Sequence, residues 1–104
     1  MPSQVVQKEK KPARLKVLVV EDNNIAGMAL QCMLVRQDCE VVLVVNGEQA
    51  LQHLTQDAFD LVFMDLGLPD MTGTEVVQKA TEQIQDFDPA NVVILSGHVT
   101  PSMR

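Results

Sequence analysis

The sequence predicts an α/β domain built on a parallel sheet, from three observations. Four short runs rich in Val, Ile and Leu recur along the chain, and stretches with helical apolar spacing separate them. The composition, 46% hydrophobic residues in a length of 104, suits one soluble domain and is too apolar for disorder. Strands separated by helices require crossover connections, which are right-handed almost without exception, so the sheet is expected to be parallel with helices on both faces.

Each element has its own local reason. Residues 1–15 read as a polar, basic linker or arm and residues 16–104 as the folded domain. Leu15 to Val20 is β-branched and continuous, as expected of a strand buried on both faces. Glu21-Asp22-Asn23-Asn24 stops it and can cap a first helix over Ile25 to Gln37, with Ile25, Met28, Ala29, Cys32, Met33 and Val35 at helical spacing. Asp38 ends that helix where a left-handed residue is often needed.

A second strand covers Glu40 to Val45. Asn46-Gly47 marks a turn, and Asn46 can cap a short helix, Glu48 to Thr55, with Ala50, Leu51 and Leu54 on one stripe. The third run, Leu61 to Met64, ends in Asp65. Pro69, Asp70 and Gly73 break the next segment into a loop, and Thr74 starts a helix to about Gln85 with Val76, Val77, Ala80 and Ile84 inward. A connection holding Pro89 leads to the fourth buried run, Val92 to Leu95. Cys32 and Cys39 lack metal-ligand or CxxC spacing and are expected as buried, reduced thiols.

Charge excludes several functions. Eight Lys+Arg against 14 Asp+Glu give a net −6, and Lys8, Lys10, Lys11, Arg14 and Lys16 hold most of the cations, so the folded part should repel nucleic acid. No apolar run approaches the ~18 residues of a membrane span. The basic stretch has no signal-peptide core, which points to the cytoplasm.

In open parallel sheets ligands bind beyond the carboxyl ends of the strands. Glu21 and Asp22 follow the first strand there, Asp65 the third, and Ser96-Gly97 the fourth. Three carboxylates gathered within ~5 Å would repel by about 3 kcal/mol per pair at an effective dielectric of ~20. They require a cation, and an all-oxygen site suits Mg²⁺, with Mn²⁺ as a substitute.

Three stretches carry a family resemblance: Val19-Val20-Glu21-Asp22-Asn23, Asn46-Gly47-Glu48-Gln49-Ala50-Leu51, and Phe63-Met64-Asp65-Leu66-Gly67-Leu68-Pro69-Asp70-Met71-Thr72-Gly73. Their order and spacing resemble the receiver domains of two-component response regulators, particularly those attached to hybrid histidine kinases. The resemblance implies a flavodoxin-like parallel sheet in strand order 2-1-3-4, with a fifth strand and helix to follow. It also implies Mg²⁺-dependent transfer of a phosphoryl group from a phosphohistidine to Asp65, so that the partner is a histidine kinase or a histidine phosphotransfer protein. By position, Asp65 is the phosphoacceptor. Asp22 ligates the metal directly, Glu21 through a water, and the Gly67 backbone carbonyl completes the set. Ser96 is the switch hydroxyl that contacts the phosphoryl group; Gly67 and His98 stand where the family tunes hydrolysis of the acyl phosphate.

The family pattern continues with a lysine and an aromatic residue on the fifth strand, and neither has a counterpart before Arg104; the last lysine is Lys79. The expectation is therefore a receiver cut before its fifth strand and helix, with an exposed fourth strand and one sheet face covered by the first helix alone. Such a chain is expected to self-associate. An alternative is a degenerate receiver serving as a non-phosphorylated interaction module. A Mg²⁺-dependent phosphatase is disfavoured, because its second acid would stand where Gly67 does.

Overall fold

The computed structural model describes residues 14–95. Strands β1 (Lys16–Val20), β2 (Glu40–Val44), β3 (Leu61–Asp65) and β4 (Val92–Leu95) alternate with helices α1 (Asn24–Arg36), α2 (Gly47–Gln56) and α3 (Gly73–Gln83), and a 3₁₀ turn, Pro89–Asn91, precedes β4. All strand pairs are parallel, in the order β2-β1-β3-β4. This is the predicted topology.

The central strand carries the most apolar sequence, and burial explains why. Val17, Leu18, Val19 and Val20 are all fully buried, and alternate residues feed two separate cores. Leu18 and Val20 pack with Val62, Met64, Ala50, Leu54, Val76 and Ala80 under α2 and α3. Val17 and Val19 pack with Cys39 and with Leu30 and Leu34 of α1 on the other face. Each fully buried Val or Leu contributes about 1.5–3 kcal/mol, so β1 is the axis of the domain.

Caps set the helix boundaries. Asn23 Oδ1 accepts the Ala26 N–H at 3.0 Å and starts α1. Asn46 Oδ1 accepts the Gln49 N–H at 2.8 Å and starts α2. Thr72 and Glu75 form a reciprocal capping box that starts α3 at Gly73, one residue before the expected Thr74. Asp38 holds φ 67°, the left-handed turn foreseen between α1 and β2.

Two expectations about burial are corrected. The stripe Ile25, Met28, Ala29, Cys32, Met33 and Val35 does not face the sheet: Ile25 is 83% exposed and Met33 63%, and Cys32 is an exposed free thiol while only Cys39 is buried. The opposite flank of α1, Gly27, Leu30 and Leu34, makes the contact. Gly27 suits that flank, because a Cβ there would stand 3.0 Å from Leu43 Cδ1 and the Leu43 side chain would have to give by a few tenths of an ångström. The second concerns β4, whose apolar run reads as buried by composition; Val93 and Ile94 are 41% and 43% exposed, in keeping with the exposed fourth strand expected above. Among the described residues it pairs only with β3, as an edge.

Candidate functional site

Parallel register builds the site. Val20 pairs with Met64 across β1 and β3, so Glu21 and Asp65 stand on the next rung, where both strands reach their carboxyl ends. Glu21 N–H still donates to Val44 O at 3.0 Å, which keeps the end of β1 in the sheet. Asp22 follows on the turn into α1. Carboxylate oxygens of Glu21, Asp22 and Asp65 all lie within 4.8 Å of one another. Asp65 is only 3% exposed and Asp22 is exposed.

Among the described residues no salt bridge answers the charge of this cluster. The ion pairs of the described residues, Arg14–Asp38, Lys16–Glu40 and Lys16–Asp57, gather at the amino ends of the strands. Among the described residues Asp65 receives one long hydrogen bond, from the Gly67 N–H to Oδ1 at 3.4 Å. Burial pushes the Glu21 carboxyl above its ordinary 4.5, and the neighbouring charges of Asp65 and Asp22 push the same way, against the Asn23 N–H that donates to Oε2 at 3.1 Å. Every ligand atom is a hard carboxylate oxygen. The donor set fits a small hard dication such as Mg²⁺, which retains several waters and needs only one or two carboxylates.

The loop after Asp65 is held from within. Gly67 forms an isolated bridge with Thr72, and the Gly73 N–H donates to Leu66 O at 2.9 Å. Gly73 is required: a Cβ there would lie 2.4 Å from the Asp65 carbonyl oxygen. Gly67 is exposed beside Asp65, on the rim of the cluster. Of the predicted site residues, Glu21, Asp22, Asp65 and Gly67 are thus found at one end of the sheet. Ser96, with Gly97 and His98, lies outside the described residues.

Sequence reasoning missed two residues that shape this end of the molecule. Glu75 closes the α3 capping box and was legible as Thr72-x-x-Glu75. Asp70, read only as a loop breaker, accepts the Gly47 and Glu48 N–H groups at 2.8 and 3.0 Å; contacts across more than twenty residues leave no local trace in a sequence. A cleft of about 330 Å³ opens at the other end of the sheet, lined by Phe59, Ile84 and Phe87 among others. It contains none of the three clustered carboxylates and has no part in the site.

Comparison with known proteins agrees with this geometry. The family model for the response regulator receiver domain matches residues 17–104. Hybrid signal transduction histidine kinase L of Dictyostelium discoideum is 38% identical over 95 residues, covering 86% of this chain and 6% of the kinase. The autoinducer 2 sensor kinase/phosphatase LuxQ of Vibrio vulnificus is 39% identical over 71 residues, 68% of this chain and 8% of that protein. The chain therefore spans under a tenth of these two relatives. Among solved structures, a CheY-like receiver domain from Methylobacillus flagellatus superposes with a TM-score of 0.75 at 27% identity, over 83% of this chain and 72% of that one. The Thermotoga maritima response regulator TrrA, solved in complex with Mg²⁺ and BeF, gives 0.66 at 28% identity, over 77% and 65%. With its sheet order, its carboxylate cluster and its matched residues in agreement, the chain belongs to the response regulator receiver domain family.

Proposed function

We propose that this domain is the phosphoacceptor switch of a two-component phosphorelay, in which Asp65 takes a phosphoryl group from the phosphohistidine of a histidine kinase or histidine phosphotransfer protein. The observation that carries this reading is the buried Asp65 carboxylate with Glu21 and Asp22 inside 4.8 Å and, among the described residues, no ion-paired cation beside it. An Asp65 carboxylate oxygen bonds to phosphorus as the phosphorus–nitrogen bond breaks, and the electron pair stays on the departing imidazole nitrogen, which takes up a proton from solvent. Asp22 and Asp65 would hold Mg²⁺ directly, Glu21 through a water, and Gly67 through its carbonyl. A bound dication supplies the charge neutralisation that lets a carboxylate approach an anionic phosphoryl group. TrrA in its Mg²⁺-BeF complex supports that assignment by likeness.

The remaining residues fit the same reading. Asp65 is fixed by β3 and by the tight turn at Gly73, and the Gly67 N–H, which makes only a long 3.4 Å contact to Asp65 Oδ1, could turn to a phosphoryl oxygen. Ser96 is assigned the phosphoryl-contacting hydroxyl. Residues 16–104 constitute the receiver and residues 1–15 a linker or arm. No described helix is long and apolar enough to cross a membrane, and a cytoplasmic setting suits a phosphorelay.

A second reading rests on exposed apolar surface. Ile25, Met28 and Met33 on α1 and Val93 and Ile94 on β4 are all exposed, which favours self-association and an interaction role. Acetyl phosphate with Mg²⁺ separates the two. Intact mass should rise by one phosphoryl group, and the gain should vanish in Asp65→Asn. No gain in the unaltered chain would overturn the phosphoacceptor reading and leave the interaction module.

A further inference from the structure

We propose that Asp70 is a positioning residue for the metal site, holding the Leu66–Thr72 loop, and with it the Gly67 carbonyl, by anchoring the loop tip to the start of α2. The proposal rests on the reading of Gly67 as a metal ligand. Both oxygens of the Asp70 carboxylate are used: Oδ1 accepts the Gly47 N–H at 2.8 Å and Oδ2 the Glu48 N–H at 3.0 Å. These are two of the helix-terminal donors that have no partner within α2, and the positive end of the helix dipole favours a carboxylate there. Asn46 Oδ1 serves the Gln49 N–H, so the first turn of α2 is capped by two residues from different parts of the chain.

The neighbouring contact makes the anchor specific. Met71 lies against Gly47 so closely that a Cβ on Gly47 would sit 2.5 Å from Met71 Cγ. The loop is already pinched at its base by the Gly67–Thr72 bridge and the Gly73-to-Leu66 hydrogen bond. The base bonds fix its ends, and Asp70 with Met71 fixes its tip. Gly67 is itself one side of the base bridge, three residues before Asp70. A hydrogen bond to a ligand is the usual second tier of a metal site; here the same task falls to a carboxylate acting through four residues of backbone. Mg²⁺ demands near-ideal octahedral geometry, whereas Ca²⁺ accepts irregular sites. Loosening the tip should therefore cost Mg²⁺ more than Ca²⁺.

The test is Mg²⁺ and Ca²⁺ titration of the full chain by isothermal calorimetry, at a temperature where each variant is folded by circular dichroism. Asp70→Ala should weaken Mg²⁺ binding by about tenfold, the scale found when the support of a metal ligand is removed, and Ca²⁺ binding by distinctly less. Asp70→Asn, which keeps one acceptor, should fall between. Asn46→Ala, which uncaps the same helix without touching the loop, should lower the melting temperature and leave the Mg²⁺ affinity unchanged. Equal Mg²⁺ affinity in Asp70→Ala and the unaltered chain, or an equal loss in Asn46→Ala, would overturn the proposal alone. Failure of the unaltered chain to bind Mg²⁺ would overturn the metal-site reading beneath it and the proposal with it.

Discussion

Replacing Asp65 with Asn removes one charge of the cluster while keeping its shape and the oxygen that the Gly67 N–H reaches. In the metal-free protein this substitution should stabilise the fold. Two unit charges at 4.8 Å, the outer limit of the separations in the cluster, repel by about 3.5 kcal/mol at an effective dielectric of ~20, and Asp65 takes part in two such pairs. Screening and proton uptake lower the sum. Asp22 is exposed, so solvent and salt screen much of its share, and Glu21 relieves part of the repulsion by binding a proton more readily than an ordinary glutamate. A net gain of about 1–2 kcal/mol remains, a large share of the ~5–15 kcal/mol that holds a domain folded. Urea unfolding followed by far-ultraviolet circular dichroism, with EDTA at neutral pH, reads it directly: at a slope of ~1 kcal/mol per molar the midpoint should rise by about 1–2 M. Added Mg²⁺ should stabilise the unaltered chain more than the variant and narrow the gap. A metal-free midpoint in Asp65→Asn equal to or below that of the unaltered chain would refute the electrostatic reasoning.

Three further outcomes follow from particular contacts. The Lys16 ammonium holds the Asp57 carboxyl below its ordinary 3.8; a lowered folded value gives stability that is present above 3.8 and lost as pH falls through the folded value, so Asp57→Asn should flatten the acid limb of an unfolding titration. Superimposable acid limbs would contradict it. Gly73→Ala forces a Cβ against the Asp65 carbonyl oxygen and should cost about 1–3 kcal/mol in thermal or urea unfolding, whereas a neutral effect would show that the turn can give way. Exposed Val93 and Ile94 on an edge strand should support self-association. Light scattering after size exclusion should find assemblies that Ile94→Lys disperses, and a stable monomer of the unaltered chain at micromolar concentration would refute the reading.

The parts of this molecule set by local chemistry were legible in its sequence. The central strand announces itself because Leu15 to Val20 has no residue that could face water comfortably except Lys16 at its start. Asn46 reads as a cap because an amide side chain before a helix has few better uses. Glu21, Asp22 and Asp65 could be gathered on paper because a parallel sheet puts all strand carboxyl ends on one side. What could not be read depends on which neighbour wins. Helix α1 offers two apolar flanks, and periodicity alone ranks the longer one first; that Gly27, Leu30 and Leu34 face the sheet is settled by packing against Val17, Val19 and Leu43, which are distant in sequence. Val93 and Ile94 have the composition of a buried strand; their exposure is expected from the element count and not from the run itself, because burial belongs to the layers around a strand. The anchoring of Asp70 to α2 is a contact between distant segments, visible only once both have folded.

The central claim is that one hard dication sits among Glu21, Asp22 and Asp65, and the most direct measurement is a Mg²⁺ titration followed by the backbone amide signals of the isotopically labelled chain. The account predicts saturable shifts centred on residues 21–23 and 65–68, weakened in Asp65→Asn. Shifts spread instead over the other acidic residues, among them Asp57, Asp86 and Asp88, or no shifts at all, would contradict it.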